Sequence, residues 1–168
     1  MQRFFDIFLS SITLMVLSPL LIPLIITLKF TGEGEVFFKG PRVGKAKKIF
    51  QILKFATMLK DSPNIGTGTV TIKEDPRVLK DGKFLRKTKI NELPQLLNIF
   101  FGDMSFVGPR PLTVQTFEFY SKRTQEIVKQ VSPGLSGVGS IIFRSEEEIM
   151  QGAAASVNFY ENVIAPYK

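Results

Sequence analysis

Residues Lys87–Leu112 read KTKINELPQLLNIFFGDMSFVGPRPL, and the fold is organised around them. Asn91 is a good helix N-cap, and Pro94 is tolerated in a first turn, where its missing amide has no partner to lose. Leu93, Leu96, Leu97, Phe100 and Phe101 then recur at helical spacing, and Gly102 is a C-terminal stop. The pattern predicts a short helix with Asn91 and Glu92 at its N-terminus, where free N–H groups and the dipole favour anions. Taken alone, Asn-Glu at a helix start is ordinary capping. Val107-Gly108-Pro109-Arg110-Pro111 follows as a stiff turn. Its two prolines restrict the backbone around Arg110 and give that side chain a fixed direction.

Upstream, Leu9–Leu28 is almost wholly apolar and carries no charge. Twenty residues of helix make about 30 Å, enough to cross a bilayer core. Pro19 and Pro23 interrupt it. Each removes a backbone donor, and Ser18 is placed to satisfy a freed carbonyl. Two arms of about ten residues would reach about 15 Å each, roughly one leaflet. Arg3 precedes the run, and Lys29, Lys39 and Arg42 follow it, so both ends are expected on one face of the membrane. The expected form is a re-entrant helix hairpin over residues 1–30, bent at Ser18-Pro19, with residues 31–168 as a body on the same face. A kinked spanning helix is the alternative. A cleaved leader fits less well, because no small-x-small site follows Leu28.

Net charge is +7, which by itself allows nucleic acid, anionic lipid or phosphorylated substrates. Beside a long apolar run, lipid is favoured, and no motif supports nucleic acid as a partner. The chain has no cysteine and no histidine. Disulfides, thiolate zinc sites, cysteine nucleophiles and Ser-His-Asp triads are therefore excluded within it. Acid, base and metal-ligand roles fall on fifteen Asp and Glu residues.

Between membrane segment and motif, Val36–Phe38 and Ile49–Phe55 are β-prone runs around a basic connection, Gly40–Lys48, that carries Arg42, Lys45, Lys47 and Lys48. They predict a β-hairpin. Lys54 lies near the end of the second run. Asp61–Thr71 is polar and broken by Pro and Gly, so it is expected as a loop. Leu79–Lys89 interleaves Lys80, Lys83, Arg86, Lys87 and Lys89 with Phe84 and Leu85, which suits a helix in the headgroup region. Downstream, Val114–Val131 is expected as one amphipathic helix, with loops at Pro133-Gly134 and Gly137/Gly139 and a short strand at Ser140–Phe143. Arg144 follows. Glu146–Glu148 could resemble a metal cluster, but consecutive residues point apart, so a solvated helix start is expected.

Several ordered blocks together resemble the bacterial sugar transferases, small monotopic phosphoglycosyl transferases. They are Ser18-Pro19 in its apolar segment, FFKGPRVGK…LKFATM (Phe37 to Met58), Asp75-Pro76-Arg77, FLRKTKINELPQL and GDMSFVGPRPL. The resemblance covers most of the chain. It implies an α+β, helix-rich fold with a re-entrant membrane hairpin, interfacial amphipathic helices and a small β-hairpin, on the cytoplasmic face of a bacterial inner membrane. It implies transfer of a phosphosugar from a UDP-sugar to polyprenol (undecaprenyl) phosphate with release of UMP. In the family an Asp of an Asp-Glu pair attacks the β-phosphate, and the Glu helps hold Mg²⁺. By resemblance Glu92 is the metal-holding residue, Lys54 neutralises phosphate charge, and Arg42, Arg77, Arg110 and Arg144 are candidates for substrate phosphates.

Two departures stand out. The nucleophile position holds Asn91, and Ala56 replaces the arginine of the family's Lys-Phe-Arg. A neutral amide cannot do the work of a carboxylate nucleophile. Direct attack by the acceptor phosphate, attack by Glu92, and an inactive binding protein all remain open at this point. The stretch to Lys168 is shorter than in familiar members, so a final piece is expected to be absent. The residues do not specify the sugar or an oligomeric state.

Overall fold

The structure is a computed structural model, and it describes residues 1–65, 71 and 75–142. It is a mixed arrangement of helix and sheet in which a long apolar helix is docked along a small body. Helix α1 spans Gln2–Phe30 and contains Pro19 and Pro23. Pro19 deprives the Met15 carbonyl of its helical amide. Ser18 Oγ donates to that carbonyl at 2.8 Å, replacing the lost bond. Farther along, Thr27 Oγ1 donates to Pro23 O at 2.9 Å.

Both ends of α1 are tied to the body. At the start, Gln2 Nε2 donates to Ser105 Oγ at 2.9 Å. Asp6 is buried, and its Oδ1 accepts from Ser105 Oγ and from the Phe106 amide. Arg3 donates to the carbonyls of Ile99 and Phe100, where a cation complements the C-terminal end of a helix. At the far end, Leu28 is buried against Phe55 and Leu85, with Leu21, Leu24 and Ile25 packed around them. Phe4, Phe5, Phe8, Met15, Val16, Leu20 and Ile22 stay exposed on α1.

Strands β1 (Phe37–Val43) and β2 (Ile49–Phe55) form the expected antiparallel hairpin, with Phe37 opposite Phe55 and Val43 opposite Ile49. β1 runs farther than its sequence indicates, so Arg42 sits in the strand, opposite Phe50, and the connection shortens to Gly44–Lys48. Helix α2 covers Lys80–Lys87, close to the expected basic helix, and it exposes Phe84 while burying Leu85.

The central motif differs in detail. Asn91 is not an N-cap. Ile90–Glu92 form a 3-10 turn entered through Lys89 at φ 61, and helix α3 begins only at Gln95 and runs to Phe101. Pro94 is the cap residue, and Gly102 closes the helix at φ 96 as expected for a left-handed stop. The buried side of α3 is Gln95, Leu96, Asn98 and Ile99, while Phe101 is 72% exposed. Phe100 and Phe101 therefore leave the expected core face.

The main core joins β2 to α3: Phe50 and Ile52 pack with Leu96, Ile99 and Met104, and Leu14 and Leu17 of α1 lie against them. Next come β3 (Ser105–Val107), α4 (Val114–Phe119), α5 (Lys122–Val128), β4 (Gly134–Ser136) and α6 (Val138–Ile142). The single helix expected over Val114–Val131 is two, because Ser121 caps a second one by accepting from the Thr124 amide, as Thr113 does for the first. The strand falls at Gly134–Ser136, parallel to β3, and Ser140 and Ile142 belong to a helix. Arg144, Phe143 and Glu146–Glu148 lie outside the described residues.

Candidate active site

Four segments meet at the site. β2 alternates its faces, so Lys54 shares a side with Phe50 and Ile52, the residues packed on α3. The 3-10 turn just upstream of α3 supplies Glu92. Lys54 Nζ and Glu92 Oε1 lie 2.7 Å apart, each side chain 20% exposed. Arg42 reaches the same region from β1, its Nη1 donating to Pro41 O. Arg110, exposed on the turn after β3, completes the group. The charges of Arg42 and Arg110 both act on Lys54, and both arginines act on each other or on Glu92.

The electrostatics follow from three cations around one carboxylate. Burial pushes the Glu92 carboxyl up, but Lys54 and Arg110 outweigh it and hold it down to about 2. Glu92 is ionised throughout the physiological range. Burial drives the Lys54 ammonium down to about 8; Glu92 opposes this, and Arg110 and Arg42 add to it. Burial and the neighbouring Arg110 likewise bring Arg42 down to about 10, against the pull of Glu92. The cluster carries excess positive charge and is suited to a polyanion.

The Arg110 turn is held by backbone contact. Gly108, Gly134 and Gly137 crowd together, and a Cβ on Gly134 would stand 2.1 Å from the Gly108 nitrogen. The Gly108 amide donates to Ser136 O at 3.0 Å, and the Gly134 amide donates to Pro109 O at 2.8 Å. Side chains at these glycines would force the two strands apart and move the turn.

Asn91 is buried, and its Oδ1 has no hydrogen-bond partner among the described residues. No group of three Asp, Glu, His or Cys able to hold a metal exists among the described residues. Magnesium nevertheless fits Glu92 in one way. Lys54 engages only Oε1 of an ionised carboxylate, and one carboxylate completed by substrate phosphates is a usual magnesium shell.

Arg77, expected as a phosphate contact, is engaged within the protein. It is 3% exposed, and its guanidinium is bound to both oxygens of Asp75, at 2.8 and 2.6 Å, and to the carbonyls of Ser62 and Ile65. Its place is that of a buried strut for the 61–65 turn. Ser18 and Pro19 lie on α1. Asp6 and Asn98 were missed in the sequence, and Arg3 was read there only as a flanking charge, not as a partner of the Ile99 and Phe100 carbonyls. For Asp6 a signal was present, a charge pair with Arg3 at the head of an apolar run; Asn98 shares its helix with another amide, Gln95, and nothing local singles it out.

The sequence matches the family described as bacterial sugar transferase over residues 1–165. The chain belongs to that family. Among its relatives, the exopolysaccharide production protein ExoY of Rhizobium meliloti (strain 1021) is 32% identical over 175 residues, covering 96% of this chain and 77% of ExoY. The UDP-glucose:undecaprenyl-phosphate glucose-1-phosphate transferase of Klebsiella pneumoniae is 38% identical over 144 residues, covering 83% of this chain and 30% of that protein. The Escherichia coli (strain K12) protein of the same name is 35% identical over 162 residues, covering 95% of this chain and 35% of that protein.

Proposed function

We propose that this chain is a phosphoglycosyl transferase that moves a sugar 1-phosphate from a UDP-sugar to undecaprenyl phosphate and releases UMP. The observation that carries the proposal is the set of cations Arg42, Lys54 and Arg110 around one ionised carboxylate, Glu92, in a chain whose relatives are named for that transfer. Cationic side chains fixed around a diphosphate stabilise the charge that develops in phosphoryl transfer. Glu92 would hold Mg²⁺, which supplies further charge neutralisation when bound.

Asn91 directs the mechanism. It cannot form the acyl-phosphate intermediate of the family. Glu92 is a poor substitute: a carboxylate held near 2 by its cations is weakly nucleophilic. Direct attack remains. The acceptor phosphate, with a second pKa of about 6, is mostly dianionic at neutral pH. Held in line by Arg110 and Arg42, its oxygen attacks the β-phosphorus, and the bond to the UMP oxygen breaks. Asn91 orients a phosphate through its amide. A second reading, a non-catalytic binder of the same two substrates, is favoured by the buried amide at 91 itself.

For the membrane, α1 enters and leaves the bilayer on one face, bending at Ser18-Pro19, with residues 31–168 on the cytoplasmic side and α2 in the headgroup region. Support comes from polar anchoring at Gln2, Arg3 and Asp6, apolar anchoring at Leu28, and the exposed apolar side chains between. A spanning helix would hold its ends about 30 Å apart across the hydrocarbon.

The test is incubation of the membrane-bound chain with radiolabelled UDP-glucose, or UDP-galactose in parallel, plus undecaprenyl phosphate and Mg²⁺. Label in lipid with UMP released supports the proposal. Release of UDP would make it an ordinary glycosyltransferase, and nucleotide binding without turnover would select the second reading.

A further inference from the structure

Hydrophobic packing joins β2 to α3, but apolar contact is non-directional and does not by itself fix register. The site needs register. Lys54 lies on β2 and Glu92 lies just before α3, so a slip of one strand residue, about 3.3 Å, would separate a pair now at 2.7 Å.

One side chain supplies the missing direction. The outer edge of β2 is not paired with another strand among the described residues. Asn98, 3% exposed, lays its amide against that edge. Its Nδ2 donates to Gln51 O at 2.8 Å, and its Oδ1 accepts from the Leu53 amide at 2.9 Å. The amide thus reproduces the donor and acceptor of a neighbouring strand's peptide group, at the two outward-facing residues just before Lys54. Both bonds are short enough to be directional. The backbone carbonyl of Asn98 also closes α3, taking the amides of Gly102 and Asp103 at 3.0 and 2.9 Å. One residue therefore fixes the helix lengthwise against the strand and defines where it ends.

We propose that Asn98 is a positioning residue for the transfer: by gripping β2 at Gln51 and Leu53 it sets the register that brings Lys54 to Glu92. The importance of that pair rests on the function proposed above. The pairing itself can be tested without turnover.

A carbodiimide condenses a carboxylate and an amine in contact into an amide with loss of water. Peptide mass spectrometry would measure the Lys54–Glu92 crosslink in the full chain in detergent. The Glu126–Lys129 pair at the C-terminal end of α5 is the internal control, because it is remote from Asn98 in the chain. Asn98→Leu, close in size but without either hydrogen bond, should lower the 54–92 crosslink at least fivefold and leave the 126–129 crosslink unchanged. In the parallel UMP-release assay with UDP-glucose, kcat should fall at nearly constant KM. A parental 54–92 yield in folded Asn98→Leu overturns the proposal. Absence of the crosslink in the parent chain, with the control present, overturns the Lys54–Glu92 pairing as well. Failure of UMP release alone would count against the proposed function and leave the register measurement standing. If Asn98→Leu loses its thermal transition, Asn98→Asp, which keeps the acceptor for Leu53, is judged by the same yields. Loss of folding in both would make Asn98 a stability residue and overturn the proposal.

Discussion

Arg110 is the exposed member of the cationic group, and Pro109 and Pro111 reduce what ordering it would cost on binding. Arg110→Ala should lower UMP release on the order of 10²-fold, the usual effect of removing one group that stabilises developing charge. Its thermal transition should stay near that of the parent; near-normal turnover would remove Arg110 from the site. Lys54 gives a pH signature. Its ammonium is held down to about 8 mainly by burial, so it is charged below that pH and loses its proton above it. Glu92, held to about 2, does not titrate in the same range. Transfer should therefore fall as pH rises through about 8. In Lys54→Arg, whatever rate survives should show no such fall. An alkaline limb retained in Lys54→Arg would assign it to another group. Lys54, Glu92 and Arg110 could be chosen from the sequence because each sits in a short motif. Asn98 could not be assigned a role, because its two partners lie 45 and 47 residues away in the chain.

At the scale of elements, the turn that carries Arg110 depends on the contact of Gly108 with Gly134. Gly134→Ala places a methyl group where only backbone now fits. It should destabilise the protein by about 1–3 kcal/mol, the range for overpacking. It should also lower UMP release by more than the loss of folded protein explains. Thermal melting and turnover measured on one preparation test both parts; a variant with parental values of each would show that the strands separate freely. Such contacts between remote glycines leave no local mark, which is why Pro133-Gly134 reads as a loop. The β1–β2 hairpin was legible because alternation and β-branched residues are local. The break between α4 and α5 was legible in principle, since Ser121 and Thr113 are ordinary caps; the longer apolar pattern masked them.

For the whole molecule, the chain contains no cysteine, so single introduced thiols report topology cleanly. A cysteine added before Met1 and Lys29→Cys should both react with an impermeant maleimide from the cytoplasmic side of inverted vesicles. Val16→Cys, exposed on α1 but placed among lipid by the proposed topology, should not. Reaction of the two ends from opposite sides would establish a spanning helix. Sequence alone supplied the apolar length and the flanking charges. It could not show that Gln2, Arg3 and Asp6 grip the body near Ser105, because that contact joins positions about a hundred residues apart.

The central claim is that Glu92, ringed by Lys54, Arg42 and Arg110, is the working centre for phosphosugar transfer. The most direct measurement compares UMP released from UDP-glucose by the parent chain and by Glu92→Gln, with undecaprenyl phosphate and Mg²⁺ at equal folded protein. The parent should release UMP only when the lipid phosphate is present, and Glu92→Gln should lose on the order of 10²-fold or more of that rate. Equal rates in the two proteins would contradict the assignment.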